Sequence, residues 1–458
     1  MTLSRPNVLS TPSRLLLPTV LSGVFITVLD FFIVNVAIPT IRSDLGAGPA
    51  AVEWIVAGYG LAFGAGLILG GRLGDRFGRR RVFATGVALF TVASLACGIA
   101  AGPASLVAAR VAQGLAAALL VPQVLAMIRT SFEGESQTRA INAYATTMGL
   151  AAVFGQLVGG FLIHLDPGGL GWRACFLINI PIGVAALALT ARAVPRDVPS
   201  GSGARLDLGG AALLTLALVG LLLPLIEGRE QGWPAWTWVS LVAAVALLYA
   251  YGKRPQPHPL IDPSLFREPA VVVGLVAQLA FTMTMAGYFL VFALYAQQGR
   301  GLGALGAGLL FAPIGAGYLA ASLLAPRFAR RWGRQAIAFG GITRAGALLV
   351  LLGLVAIEAP LGVLAPVLAV DGFGMGLALA PIMGTVLARV APHHAGQASG
   401  LLTTTQQVGG ALGVGIIGVV YFGALDHGVA GAFQHGLVYL IGMSLVLAAV
   451  VQALPARR

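Results

Sequence analysis

Lysine is all but missing from the chain: Lys253 is the only one in 458 residues. No Gly-x-x-x-x-Gly-Lys-Ser/Thr segment surrounds it, so a phosphate-cradling loop that would let the chain drive itself with ATP is excluded. Cysteine is nearly as scarce. Cys97 and Cys175 fall in or beside apolar stretches, which excludes a disulfide framework or a thiolate metal site and leaves both as packing residues. Charge is scarce as well: with 10% charged and 58% hydrophobic residues, and a mean hydropathy of +0.90, there is too little polar surface to cover a water-soluble globule. His393 and His394 have no acid or cysteine nearby and read as solvated, so no metal site is expected. No nucleophile and base pair stands out either, which argues against an enzyme.

What is present is apolar length. Runs of about 20 residues, enough to cross a hydrocarbon core of roughly 30 Å, recur along the whole chain. Fourteen are counted, over 15–38, 52–71, 82–101, 104–128, 140–164, 173–194, 207–227, 236–252, 270–296, 303–325, 336–357, 361–388, 398–423 and 433–454. The net charge of +12 does not point to nucleic acid, because the basic residues alternate between loops. With both termini placed in the cytoplasm, 22 of the 28 Lys and Arg fall inside, Arg42, Arg173, Arg229 and Arg300 fall outside, and two lie within spans. The basicity is then topology plus attraction to anionic lipid. The first span is too long for a cleavable signal and no small-residue cleavage site follows it, so it is expected to stay in a multi-pass protein of the plasma membrane.

A degenerate repeat divides the chain. Arg327-Phe328-Ala329-Arg330-Arg331-Trp332-Gly333-Arg334 aligns with Arg72-Leu73-Gly74-Asp75-Arg76-Phe77-Gly78-Arg79, and each follows the second span of its half, as duplication of a six-span unit requires. A weaker echo links Gly114 to Ala118, before Pro122, with Gly376 to Ala380, before Pro381. The expected organisation is an N-terminal six-helix bundle over 1–194, a linker with two extra spans over 195–269, and a C-terminal six-helix bundle over 270–458. Trp233, Trp236 and Trp238 cluster where the two extra spans should meet an interface. The alternative is a twelve-span protein with an apolar surface domain in the middle. The 63 glycines fit close helix contact in lipid, where small residues let backbones approach.

Several motifs carry a resemblance. Leu29-Asp30 with Asn35-Val36-Ala37-Ile38-Pro39, Gly71 to Arg81, Arg110-Val111-Ala112-Gln113-Gly114, Trp172-Arg173 with Phe176, Asn179, Pro181 and Gly183, and Ala398 to Leu402 with Gln406 to Gly410 occur in order on the first, second, fourth, sixth and thirteenth spans. Together they resemble the major facilitator superfamily, within it the fourteen-span drug/proton antiporters, over nearly the whole chain. The resemblance implies an all-α fold of two six-helix bundles with two extra central helices, rocking to give alternating access. It also implies proton-coupled export of amphipathic, possibly cationic, drugs. One departure stands in the fifth span, where Gly149, Gly155, Gly159 and Gly160 keep the antiporter motif's glycines but Gln156 replaces its usual proline. That substitution keeps open a transporter of one specific metabolite; a non-transporting membrane sensor is the remote alternative.

Asp30 lies about fifteen residues into the first span, at hydrocarbon depth, where an ionised carboxylate costs roughly 2.5 to 3.5 kcal/mol. Arg110, at comparable depth on the fourth span, is its expected partner. Desolvation favours the protonated acid and a guanidinium favours the carboxylate, so movement between such surroundings carries a proton; a permanent ion pair pinning two helices is the alternative. Asp371 is a second intramembrane acid, either paired with Arg344 or facing a cavity as a second proton site. In the arginine loop, Gly71, Gly74 and Gly78 are expected to form a tight turn, and Asp75 to bond the arginines around it. The resemblance implies a conformational latch made by these residues with Arg72, Arg76, Arg79 and Arg80, holding the outward-facing state shut. Polar residues on apolar spans are candidates for a cavity wall: Asn35, Gln113, Gln123, Asn142, Gln278, Thr282, Tyr288, Gln406 and Gln407, joined by Phe281, Met283 and Met285. No cofactor is expected beyond the proton as coupling ion, and no partner beyond the bilayer and a small solute. The chain is expected to act as a monomer without an ATPase subunit.

Overall fold

The structure is a computed structural model that describes residues 14–195, 207–254, 263–387, 390 and 395–454. The histidine pair at 393 and 394 lies outside the described residues. Within them the fold is entirely helical, and fourteen helical stretches are long and apolar enough to cross a membrane. They are α1 (Leu16–Leu45), α2 (Pro49–Phe77), α3 (Arg79–Gly98), α4 (Pro103–Ser131), α5 (Gly134–Leu165), α6 (Ala174–Leu177) continuing into α7 (Asn179–Ala193), α8 (Leu208–Glu227), α9 (Ala235–Lys253), α10 (Pro269–Leu294), α11 (Ala304–Trp332), α12 (Arg334–Ala356), α13 (Leu361–Leu387), α14 (Ala395–Gly423) and α15 (Gly428–Val450). α6 and α7 form one span, Gly171–Ala193.

α1 packs on α4, α5 and α7, while α4 also packs on α2 and α3. In the second half α13 packs on α11 and α12, and α10 on α14 and α15. The two sets meet along α2 with α14, α5 with α11, and α1 with α10. Glycine sets how closely they meet. A β-carbon at Gly60 of α2 would lie 3.9 Å from the Ala411 β-carbon, and one at Gly160 of α5 only 2.5 Å from the Ala304 carbonyl oxygen. α8 packs on both α2 and α14, and α9 packs on α8 with Val239, Val242 and Tyr249 exposed toward lipid.

The arginine loop corrects its expected shape. No tight hairpin spans residues 71–81: α2 runs through to Phe77 and a single residue, Gly78 (φ +92°), turns the chain into α3. Gly74 serves packing, since a β-carbon there would lie 1.9 Å from Gln123 Oε1 on α4. The second copy folds likewise, with Gly333 (φ +55°) as the only residue between α11 and α12.

Candidate transport site

A cavity enclosing about 990 Å³ of space free of atoms, its open mouth included, lies where α1, α2 and α5 face α10, α11, α13 and α14. Its wall is dominated by Phe31, Phe32, Tyr59, Phe63, Phe289, Phe311 and Tyr318, with Met148, Met285 and Met375 between them. Helical spacing puts these on one face: Thr282, Met285 and Phe289 form a stripe on α10, and Thr27, Val28, Phe31 and Phe32 one on α1. The polar wall groups are Thr27, Tyr59, Gln156, Thr282, Tyr318, Gln406 and Gln407, and none of the lining residues is charged.

Behind Tyr59 sits a buried charge cluster. Asp30 Oδ2 accepts from Arg110, while its Oδ1 accepts from Gln113 Nε2 at 2.9 Å and Asn179 Nδ2 at 2.7 Å. Arg110 also donates to the Gln113 side-chain oxygen at 2.7 Å and to the Ile55 carbonyl at 3.0 Å, and its guanidinium lies 4.3 Å from the Tyr59 ring centre. Gln113 and Asn179 both reach Ser94 Oγ, at 2.7 and 3.2 Å. Five of the first six spans thus contribute to one bonded cluster, and two of them donate directly to the carboxylate carried by the first. Asp30 and Arg110 are both fully buried, so removing either leaves an unpaired charge in a medium that solvates it poorly. Ser94 and Tyr59 carried no signal in the sequence; Asn179 carried only its place in a motif.

A second pair lies in the other half. Arg344 Nε stands 3.3 Å from Asp371 Oδ1, both buried, and Arg344 donates to Thr284 Oγ1 at 2.6 Å. Its guanidinium lies 5.8 Å from the Tyr288 ring centre and 5.9 Å from that of Phe281. Asp371 is absent from the cavity wall. A third acid, Glu53, escaped the sequence reading because it stands near the end of a span, where acids meet water. Here it is fully buried, 3.5 Å from Arg229 of the α8–α9 loop, and close against Gly418 of α14. Glu227, at the end of α8, accepts from the Trp54 indole at 2.9 Å, and Glu230 of the loop accepts from the Ala50 amide at 3.0 Å. Trp233 and Trp238 lie beside it, 6.0 Å between ring centres.

Of the residues expected on the cavity wall, Thr282, Met285, Gln406 and Gln407 are there. The others belong elsewhere. Gln113 holds Asp30; Gln123 donates to the Gly70 and Leu119 carbonyls at 2.8 and 3.0 Å; Asn35 donates to the Phe32 carbonyl at 3.2 Å. Phe281 and Tyr288 surround Arg344, Gln278 is buried away from the cavity, and Met283 packs its backbone on Gly413. The Asn142 side chain lies outside the described residues. Apolar surroundings made all of these look alike in sequence; which face of the helix each occupies decides its partner.

Gly155 and Gly159 of α5 seat α1, with virtual β-carbons 2.9 Å from Phe32 Cβ and 2.8 Å from Ile33 Cγ1. Gly149 and Gln156 reach the cavity wall instead. At the arginine loop, Asp75 pairs with Arg79 one turn on, at 3.2 Å. Arg79 also donates to the Ala126 carbonyl at 3.2 Å, Arg80 donates to the Ala191 carbonyl at 2.8 Å, and Arg76 lies over Phe77. Gly71 is loosely packed, its virtual β-carbon 3.8 Å from Pro122. Arg72, on the turn before Asp75, lies on the same stretch of α2.

Known proteins share this plan. The chain is 37% identical over 92% of its length to the probable actinorhodin transporter of Streptomyces coelicolor, covering 74% of that protein. It is 36% identical over 94% of its length to the cephamycin export protein CmcT of Amycolatopsis lactamdurans, covering 90% of it. Among solved structures, the peptide transporter POT in complex with sulfate superposes with a TM-score of 0.69 over 97% of this chain and 96% of that one; at 18% identity the likeness is one of fold. The Major Facilitator Superfamily profile matches residues 20–414, and the chain, a multi-pass membrane transporter, belongs to that family.

Proposed function

We propose that this protein exports amphipathic compounds across the plasma membrane by alternating access, that protons entering the cell drive it, and that Asp30 carries the proton. The observation that carries the coupling is the division of the Asp30 cluster among helices. The acid rides on α1, while its donors ride on α4 and α7. α1 also forms cavity wall through Thr27, Phe31 and Phe32. A tilt of α1 that reshapes the cavity therefore draws Asp30 away from its donors, and a carboxylate losing them in a dry interior takes up a proton. Return of α1 restores the donors and expels it. One charge crossing 100 mV supplies about 2.3 kcal/mol, a concentration ratio of roughly fifty, and the pH gradient adds to it.

The direction of transport rests on relatives such as the cephamycin export protein, and the solute class on a large, aromatic, uncharged wall. Asp371 with Arg344 is a second candidate for proton traffic. With both termini in the cytoplasm, the arginine loop lies on the inner side, where Asp75 is engaged with Arg79 of its own half. The halves touch at Glu53 with Gly418 and at Gly160 with Ala304, toward the outer side. The test is purified protein in liposomes with internal pH followed as solutes are added. D30N is expected to lose uphill, proton-driven export while still binding solute. Undiminished uphill export by D30N overturns the coupling role.

A further inference from the structure

The wall of the cavity contains a fully buried polar side chain whose bonding is incomplete in an instructive way. Tyr59 donates to the Thr27 carbonyl at 3.1 Å, Thr27 to the Val24 carbonyl at 2.9 Å and Thr282 to the Gln278 carbonyl at 2.8 Å. Those hydroxyls are spent on backbone. Gln156 is different: it is fully buried, it borders the cavity, and neither its amide oxygen nor its amide nitrogen has a hydrogen-bond partner among the described residues. A buried amide left this way keeps its desolvation cost until something pairs with it. The backbone that carries it is held in place, because the Gln156 main-chain carbonyl sits at a close α5–α11 approach, 2.7 Å from a β-carbon built on Gly308.

We infer that Gln156 reads the solute, and that the cavity selects uncharged, flat aromatic compounds bearing an adjacent hydrogen-bond donor and acceptor, as in a lactam or carboxamide, over lipophilic cations. This rests on the reading of the same cavity as the export site. Flatness follows from the rings: Phe289 and Phe311 stack at 5.3 Å with 14° between their planes, and Phe32 meets Phe289 edge-on at 5.2 Å. Neutrality follows from the missing counter-charge. No acid lines the cavity: Asp30 stands behind Tyr59 and is committed to three donors, and Asp371 is paired with Arg344, so an entering cation would exchange its water for ring faces and neutral amides alone. Selectivity for the donor and acceptor follows from the unpaired amide, since a site built to bond a polar group discriminates against an analogue that lacks it.

Three tricyclic fluorophores of one shape test this: phenanthridinone, a neutral lactam; phenanthrene, its hydrocarbon counterpart; and N-methylphenanthridinium, a cation. Binding to purified, detergent-solubilised full-length protein is measured for wild type, Q156M and Q156E, with thermal melting to confirm folding. Wild type is expected to bind the lactam about ten-fold tighter than either of the others. In Q156M the lactam-to-hydrocarbon ratio falls to about one; in Q156E the cation becomes the preferred ligand. A wild-type preference for the cation, or a lactam preference that survives Q156M, overturns the inference, and the wild-type ratios decide even if the variants fail to fold. Proton-driven export of all three compounds with no Gln156-dependent preference refutes this inference alone. A Gln156-dependent preference without proton-driven transport refutes the export reading alone.

Discussion

Where a glycine's missing β-carbon would fall 2.3 Å from a neighbouring carbonyl oxygen, as at Gly114 of α4 against Tyr59 of α2, any side chain must push two helices apart. Gly376 of α13 stands 2.6 Å from the Tyr318 carbonyl in the same way, and Tyr59 and Tyr318 both line the cavity. G114A and G376A are expected to cost roughly 1 to 3 kcal/mol each, seen as lowered melting temperatures in detergent, while G346A, with open space around it, leaves melting unchanged. Arg344 offers a second test at this scale. R344M strands Asp371 in the interior and should cost about 3 to 5 kcal/mol; R344M with D371N should regain much of it. If the double variant melts no higher than R344M, the two side chains are not energetically paired. The sequence showed both acids and both arginines at matching depth, because a charge in an apolar run is conspicuous. It could not separate Gln113, which bonds Asp30, from Gln407, which faces the cavity. Both are amides on apolar helices, and helical phase relative to neighbours is absent from a single sequence.

The two extra helices acquire a physical role through the short connection between them. That loop places Arg229 between Glu53 of α2 and Phe422 of α14, 5.0 Å from the ring centre, so one guanidinium touches both halves. Arg229 is only 18% exposed and Glu53 not at all, so the pair is partly shielded from water. R229M is expected to destabilise the protein by about 1 to 3 kcal/mol, and adding E53Q to recover most of that, read again by melting. A double variant no more stable than R229M would show that Glu53 is solvated from elsewhere. Hydropathy made α8 and α9 legible as spans, and the tryptophans marked their turn. The clamp was not legible, because Glu53 and Arg229 are 176 residues apart and each looks like ordinary interfacial charge. The same limit hid the shape of the arginine loop: its glycines suggested a turn, yet only Gly78 turns and Gly74 makes room for Gln123.

At the scale of the whole molecule, rocking demands that α2 and α14 separate on each cycle. Cβ atoms at positions 60 and 411 lie 3.9 Å apart, within the span a disulfide bridges. Oxidised G60C/A411C, in a C97A/C175A background, is therefore expected to lose transport almost completely and to regain it on reduction. Continued turnover by the oxidised form would mean that the halves move without parting at this seam. Fourteen spans and an internal duplication were legible because bilayer thickness fixes span length and because both copies keep glycine between their second and third helices. The cavity itself was not, since it is made by the angle at which the halves meet. Tyr59 has a consequence at this scale. Its ring lines the cavity on one side and covers the guanidinium that holds Asp30, the proposed proton carrier, on the other. On the proposed coupling, substitutions among the phenylalanines and methionines retune which molecules are expelled while leaving the power supply untouched, so descendants of this protein can change their targets without having to reinvent their engine.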